Sequence, residues 1–385
     1  MGASRRQTRL VCVALKVALL AKDATTENSE PPALRLADGR ALPELLFATD
    51  VAKLRANVGD GADDVLAAIK AAGQVVYEVS GSGNVWEEVS AAVDAKAGVV
   101  ILGGYDVLPA ARLDVLPPNV RRALVGQKDH DNFEVWSDQA FGDADGDGIP
   151  DKPVSRIPDG HSIDLLRKAV GGVSLSPKVE RYGLRNTHRP FADEVFKMVP
   201  GIQAMLASEP VTKADVQPDE IDASWIYQML HGSAQDTSKF WGESSTGPLE
   251  AIDIGCLPEL GGGVVFAASC YGALLATEPA NSCSGVPTAL KHGSSFALEF
   301  LAKGARAYIG CTGAHYSPAA PPYDWGSPDL HRRFWKRVVA GAAPADALFQ
   351  AKIEYMANLP YFADPDIYAI MLKPWGQFTC LGLGW

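Results

Sequence analysis

The sequence has no long apolar run, no basic stripe, no paired cysteines, no internal repeat and no low-complexity segment. No stretch offers the ~20 consecutive apolar residues that a membrane-spanning helix requires, so a membrane span is not expected. Lys and Arg number 35 against 46 Asp and Glu, a net charge of −11. The acids are scattered over the whole length, so no face could neutralise a phosphate backbone and nucleic acid is not an expected partner. The six cysteines, Cys12, Cys256, Cys270, Cys283, Cys311 and Cys380, form no CxxC pair and have no zinc-ligand spacing. Neither a disulfide framework nor a zinc site is indicated, and no organic cofactor is expected. What is present is apolar material: 47% of 385 residues, enough to bury one large core or two modest ones.

Residues 1–26 carry Arg5 and Arg6 and then an apolar stretch over 10–21 that Lys16 interrupts. Its length suits a signal-peptide core, and an ordinary first strand or helix fits equally. Residues 27–40, with Asn28, Ser29, Glu30, Pro31 and Pro32, read as a linker, so 1–41 is a leader. From Leu42 apolar runs alternate with helical periodicity. Strands are expected over 44–48, 74–79 and 98–102, with helices over 62–72 and 85–95, the βαβ order of a parallel sheet with helices on its faces. Val99, Val100, Ile101 and Leu102 are apolar throughout, as in a strand covered on both sides. From Gly103 to Arg156 the chain is rich in Pro, Asp and Gly and reads as loop. A second α/β half follows, with strands over 223–230, 263–268 and 306–310 and helices over 193–207, 294–303, 328–340 and 345–357. The fold class is α/β, with a subdomain over 42–165 and another over 166–385.

Two strand ends carry reactive side chains, and in open α/β sheets ligands collect beyond the carboxyl ends of strands. Residues 225–230 run into His231-Gly232, and 263–268 run into Ser269-Cys270-Tyr271-Gly272. A thiol is a strong nucleophile that needs a proton-transfer partner for acyl transfer, and histidine titrates in the right range. Neighbouring strands would present Cys270 and His231 side by side, with the N–H groups of Gly232 and Cys270 free to hold an oxyanion. Taken singly, a cysteine after an apolar strand is more often a buried structural thiol. The conjunction of His-Gly and Cys-x-Gly, each at a strand end, carries the catalytic reading.

In this arrangement the sequence resembles the gingipain-like cysteine peptidases, which have the caspase-hemoglobinase fold. Residues 98–109, ending Gly103-Gly104-Tyr105-Asp106-Val107-Leu108-Pro109, resemble that family's strand and Gly, Asp, Pro loop. Residues 136–151 resemble its acidic loop. Pro153-Val154-Ser155-Arg156-Ile157-Pro158 resembles its Gly-Arg-hydrophobic-Pro strand, with Ser155 where glycine is usual. Leu230-His231-Gly232-Ser233 with Trp241 resembles its Gly-His-Gly-Ser and Trp, with Leu230 for the first glycine, and residues 268–272 match its nucleophile strand end.

The resemblance, over about 44–385, implies a caspase-like α/β/α sandwich and an endopeptidase. Cys270 would be the nucleophile, His231 would protonate the leaving amine, and Gly232 would serve the oxyanion. Gingipains receive arginine on an aspartate in the loop ahead of the histidine strand and against an aromatic wall after the later strand. Asp193 and Tyr316 occupy those stretches, and Trp241 is the third residue expected at the substrate. This implies cleavage after Arg or Lys. For Asp193, an acid suited to a first helical turn is the competing reading. The acid that orients histidine in some members has no match in 185–189.

Asp143, Asp145, Asp147 and Asp151 stand at positions one, three, five and nine of an EF-hand-like loop, with Gly148 followed by the Ile149 carbonyl. Position twelve is Val154, so the bidentate glutamate is missing. A weak structural calcium site is expected, against a solvated acidic turn. Calcium would favour a secreted or periplasmic setting. Two other functions share the same residues: an inactive calcium- or partner-binding homologue, and a thiol acyltransferase or transpeptidase. The expected partner is a protein or peptide substrate, and the peptidase would be made as a precursor trimmed near 22–42.

Overall fold

A computed structural model describes residues 34–35, 41–81, 83–124, 129–171, 176–323, 325–360 and 364–385. The expected leader lies almost wholly outside these residues. Short apolar runs bounded by Gly, Pro and Asp become ten strands of one sheet: β1 Leu45–Thr49, β2 Val75–Glu78, β3 Gly98–Leu102, β4 Val154–Ile157, β5 Val179–Asn186, β6 Leu206–Ser208, β7 Ala223–Met229, β8 Val264–Ala267, β9 Ala307–Cys311 and β10 Phe378–Gly382. Their order is β6-β5-β7-β8-β9-β10-β4-β3-β1-β2. Every pairing is parallel except β9 with β10. Because β10 turns back against β9 and runs parallel to β4, strands β1–β4 run opposite to β5–β9. The two halves of the sheet therefore open their carboxyl ends at opposite edges.

Alternation along the central strands feeds two cores. Ile226, Val265 and Tyr308 pack with Phe296 and Phe300 on one face, while Tyr227, Phe266 and Ile309 pack with Leu330, Phe334 and Trp335 on the other. Helix Phe296–Ala302 covers the first face and Pro328–Val339, with Pro in its first turn and no side-chain cap from Ser327, covers the second. The result is the layered α/β sandwich expected from the alternation of elements.

Several expected elements differ. The helix expected over 193–207 is the short Phe191–Phe196, because Pro200 cannot continue a helix and Gly201 takes a φ of 124°. Residues 206–208 instead form edge strand β6. β5 was hidden by its charges, with Glu180, Arg181 and Arg185 on the run Val179–Asn186. The stretch over 104–156, read as loop, also holds the antiparallel pair Ala111–Asp114 and Glu134–Ser137. The expected division at 165 falls inside helix Ile163–Gly171.

Candidate active site

β7 and β8 are parallel neighbours, with Gln228 opposite Ala267. His231 and Cys270 lie at the same distance beyond that pair, so one register brings both to the rim. Gly232 makes the approach possible: a Cβ there would stand 2.0 Å from the Cys270 carbonyl oxygen. Tyr271 adopts a left-handed φ of 56°, which turns the chain sharply after the cysteine.

Cys270 is half-buried. Its Sγ accepts the His315 N–H at 3.2 Å and lies 3.5 Å from the His315 carbonyl oxygen. Burial pushes the thiol above its ordinary range, and the N–H groups of His315 and Gly232 oppose that shift without cancelling it. Cys270, His231, Leu230, Asn186, Arg189 and Tyr316 line one cavity of about 240 Å³, closed by the turn over 314–317.

His231 continues β7 into an antiparallel bridge with Trp241, its N–H and C=O bonded to Trp241 at 2.8 and 2.9 Å. Trp241 belongs to the hairpin of Lys239–Ser244 and Gly247–Asp253, whose Glu243 places Oε2 3.3 Å from His231 Nε2. Asn186 Nδ2 donates to the same oxygen at 2.8 Å, and His188 Nδ1 lies 3.1 Å from it. Burial favours the neutral form of Glu243, but the bonds from Asn186, His231 and His188 outweigh it and draw the pKa down to about 2. Sequence reasoning sought this acid within 185–189 and missed it. The usable signal was strand alternation: Glu243 shares a strand face with Trp241, and Trp241 pairs with His231.

The turn after β9 is anchored from below. Asp131 accepts the Ala314 N–H at 2.6 Å and fills the space a Cβ on Gly313 would need. Tyr316 donates its hydroxyl to Asp129 at 2.6 Å. Lys373 bonds Asp129 at 2.7 Å and also Asp131, with all three side chains buried. Desolvation beside Asp129 holds Asp131 above the usual carboxylate range. His315 is buried too, its ring against Ser327, and burial with the nearby Arg189 charge lowers its pKa to about 3.

Of the three expected substrate residues, Tyr316 lines the cavity. Trp241 stands behind His231, half-buried, with Lys239 Nζ 6.0 Å from its ring centre. Asp193 is held elsewhere by Arg185 in a two-pronged ion pair of 2.7 and 3.0 Å, so its charge is already matched and it does not face the cavity. In the acidic loop, oxygens of Asp143, Asp145 and Asp151 lie within 4.8 Å of one another. All three also accept loop N–H groups, as Asp147, outside that cluster, does from Ile149 at 2.8 Å. Three clustered carboxylate oxygens fit a hard, oxygen-ligated cation such as calcium, with room for further ligands.

No protein-family model and no curated protein matches the chain. Solved structures do. The Arg-specific cysteine proteinase gingipain R (RGPB) aligns with a TM-score of 0.56 at 12% identity, over 92% of this chain and 79% of the other. The complex of Porphyromonas gingivalis RgpB pro- and mature domains aligns with a TM-score of 0.56 at 11% identity, over 88% and 78%. The chain has a caspase-like α/β fold. At this identity the likeness is one of fold. Among the described residues no helix is long and apolar enough to cross a membrane.

Proposed function

We propose that the protein is a cysteine peptidase in which Cys270 is the nucleophile and His231 the proton-transfer group. The carrying observation is that the Cys270 thiol and a histidine backed by Glu243 line one cavity, with the Gly232 N–H directed at the thiol. With Nε2 facing Glu243, Nδ1 is the nitrogen left for substrate. As Sγ attacks the peptide carbonyl, its proton passes to His231. The oxyanion takes hydrogen bonds from the N–H groups of Gly232 and Cys270. Collapse breaks the C–N bond, and His231 returns the proton to the leaving amine. Water then attacks the thioester and restores the thiol.

The test is hydrolysis of a fluorogenic peptide panel by the wild type beside Cys270→Ala and His231→Ala. Each substitution is expected to reduce turnover on the order of 10⁴-fold. Undiminished turnover in Cys270→Ala contradicts the mechanism. We propose further that Asp143, Asp145 and Asp151 bind a structural calcium ion, with Asp147 shaping the turn and the Ile149 carbonyl as a further ligand.

A further inference from the structure

We propose that the cavity beside Cys270 receives an acidic side chain, Asp or Glu, immediately before the scissile bond, and that Arg189 is the residue that selects it. The proposal rests on the peptidase reading for the position of that side chain in the substrate. It departs from the basic preference that the gingipain resemblance implied.

The charge lining the cavity carries the argument. Arg189 is half-buried in its wall. Its only side-chain hydrogen bond among the described residues is from Nη1 to the His188 carbonyl at 3.0 Å, and no carboxylate there pairs with it. A guanidinium has five N–H donors in a planar fork that matches a carboxylate, so most of its capacity is left for a ligand. No Asp or Glu lines the cavity; its other polar side chains are histidines, Asn186, Tyr316 and Ser317.

The acids that could have served a basic residue are each committed elsewhere. Asp193 is matched by Arg185. Glu243 is held by Asn186, His188 and His231. Asp129 and Asp131 lie behind Tyr316 and share Lys373. A lysine or arginine side chain entering here would lose its hydration and meet Arg189 with no counter-charge, which is costly. An aspartate or glutamate would exchange water for a charge-assisted, two-pronged bond. The volume, about 240 Å³, suits one side chain.

The experiment compares kcat/KM for peptides that differ only in the residue before the fluorophore: Asp, Glu, Asn, Leu, Lys and Arg. The same panel is run on Arg189→Gln and Arg189→Glu. Binding of non-hydrolysable Asp- and Lys-terminated peptide analogues to Cys270→Ala is measured by calorimetry. The wild type is expected to prefer Asp or Glu over Asn and Leu at least tenfold, with Lys and Arg at background. Arg189→Gln should lose that preference, and Arg189→Glu should invert it toward Lys and Arg. Urea denaturation of both variants at the wild-type midpoint should show that the fold is kept. Cleavage after Lys or Arg by the wild type, or an unchanged preference in both variants, overturns the proposal and leaves the peptidase reading standing. Selective binding of the Asp analogue without cleavage of any peptide supports the pocket and overturns the peptidase reading. Absence of both cleavage and binding overturns the two together.

Discussion

Glu243 faces one nitrogen of His231 at 3.3 Å, and in the proposed mechanism it would fix the ring and stabilise the imidazolium formed when Cys270 loses its proton. Glu243→Gln keeps the shape and removes the charge. It is expected to lower kcat by roughly ten- to a hundredfold with KM little changed, as an effect confined to the transition state requires. Steady-state kinetics checks this. The same residue predicts a pH dependence of stability. Its pKa falls from an ordinary 4.5 to about 2 in the folded state, so the folded form binds fewer protons than the unfolded one between those values. Glu243 therefore stabilises the fold above about pH 4.5, and that contribution is lost as pH falls toward 2. Urea titrations should show wild type more stable than Glu243→Gln at pH 6 and the gap closing near pH 2; a gap that widens on acidification contradicts the assignment. At this scale, Cys270 and His231 were legible because each follows an apolar run that can only be a buried strand. Glu243 was not, since its approach to His231 depends on hairpin pairing across the turn between them.

Elements decide whether the thiol is presented correctly. The turn over 313–316 supplies the His315 N–H to Sγ, and the Asp131 carboxylate holds that turn through Ala314. Lys373, on helix Pro365–Gln377, neutralises Asp129 and Asp131 from beneath. Lys373→Met would leave two buried carboxylates without their cation, and a loss of about 3–5 kcal/mol is expected. Chemical denaturation measures it, and a loss under 1 kcal/mol would remove the cluster from the account of the turn. None of this could be read from the sequence. Lys373 stands 244 residues from Asp129 and 242 from Asp131, and a buried charge is indistinguishable from a surface one until its partner is in view. The helix expected over 193–207 failed for a local reason already present in the sequence, the Pro200-Gly201 pair.

For the whole molecule, the alternation of strands and helices made the layered α/β class legible, and a solved structure aligns over 92% of the chain. The reversal of direction between β1–β4 and β5–β9 was not legible, because it is set by β10, a C-terminal strand that enters the middle of the sheet. That reversal leaves the carboxyl ends of β7, β8 and β9 as the edge where Cys270, His231 and the anchoring turn meet. The acidic loop belongs to the other half of the chain, so its proposed ion acts on stability. Millimolar calcium is expected to raise the melting temperature, and Asp145→Asn with Asp151→Asn to abolish the rise. Equal melting curves in calcium and in chelator would dismiss the ion.

In the proposed mechanism a substrate acyl group becomes bonded to Cys270. Rapid mixing with a peptide ester, acid quenching and mass mapping reads this directly. The account predicts an acyl adduct on the proteolytic fragment that contains Cys270, in wild type and, accumulating further, in His231→Ala. Acylation confined to another residue, or turnover through which Cys270 stays unmodified and dispensable, would contradict it.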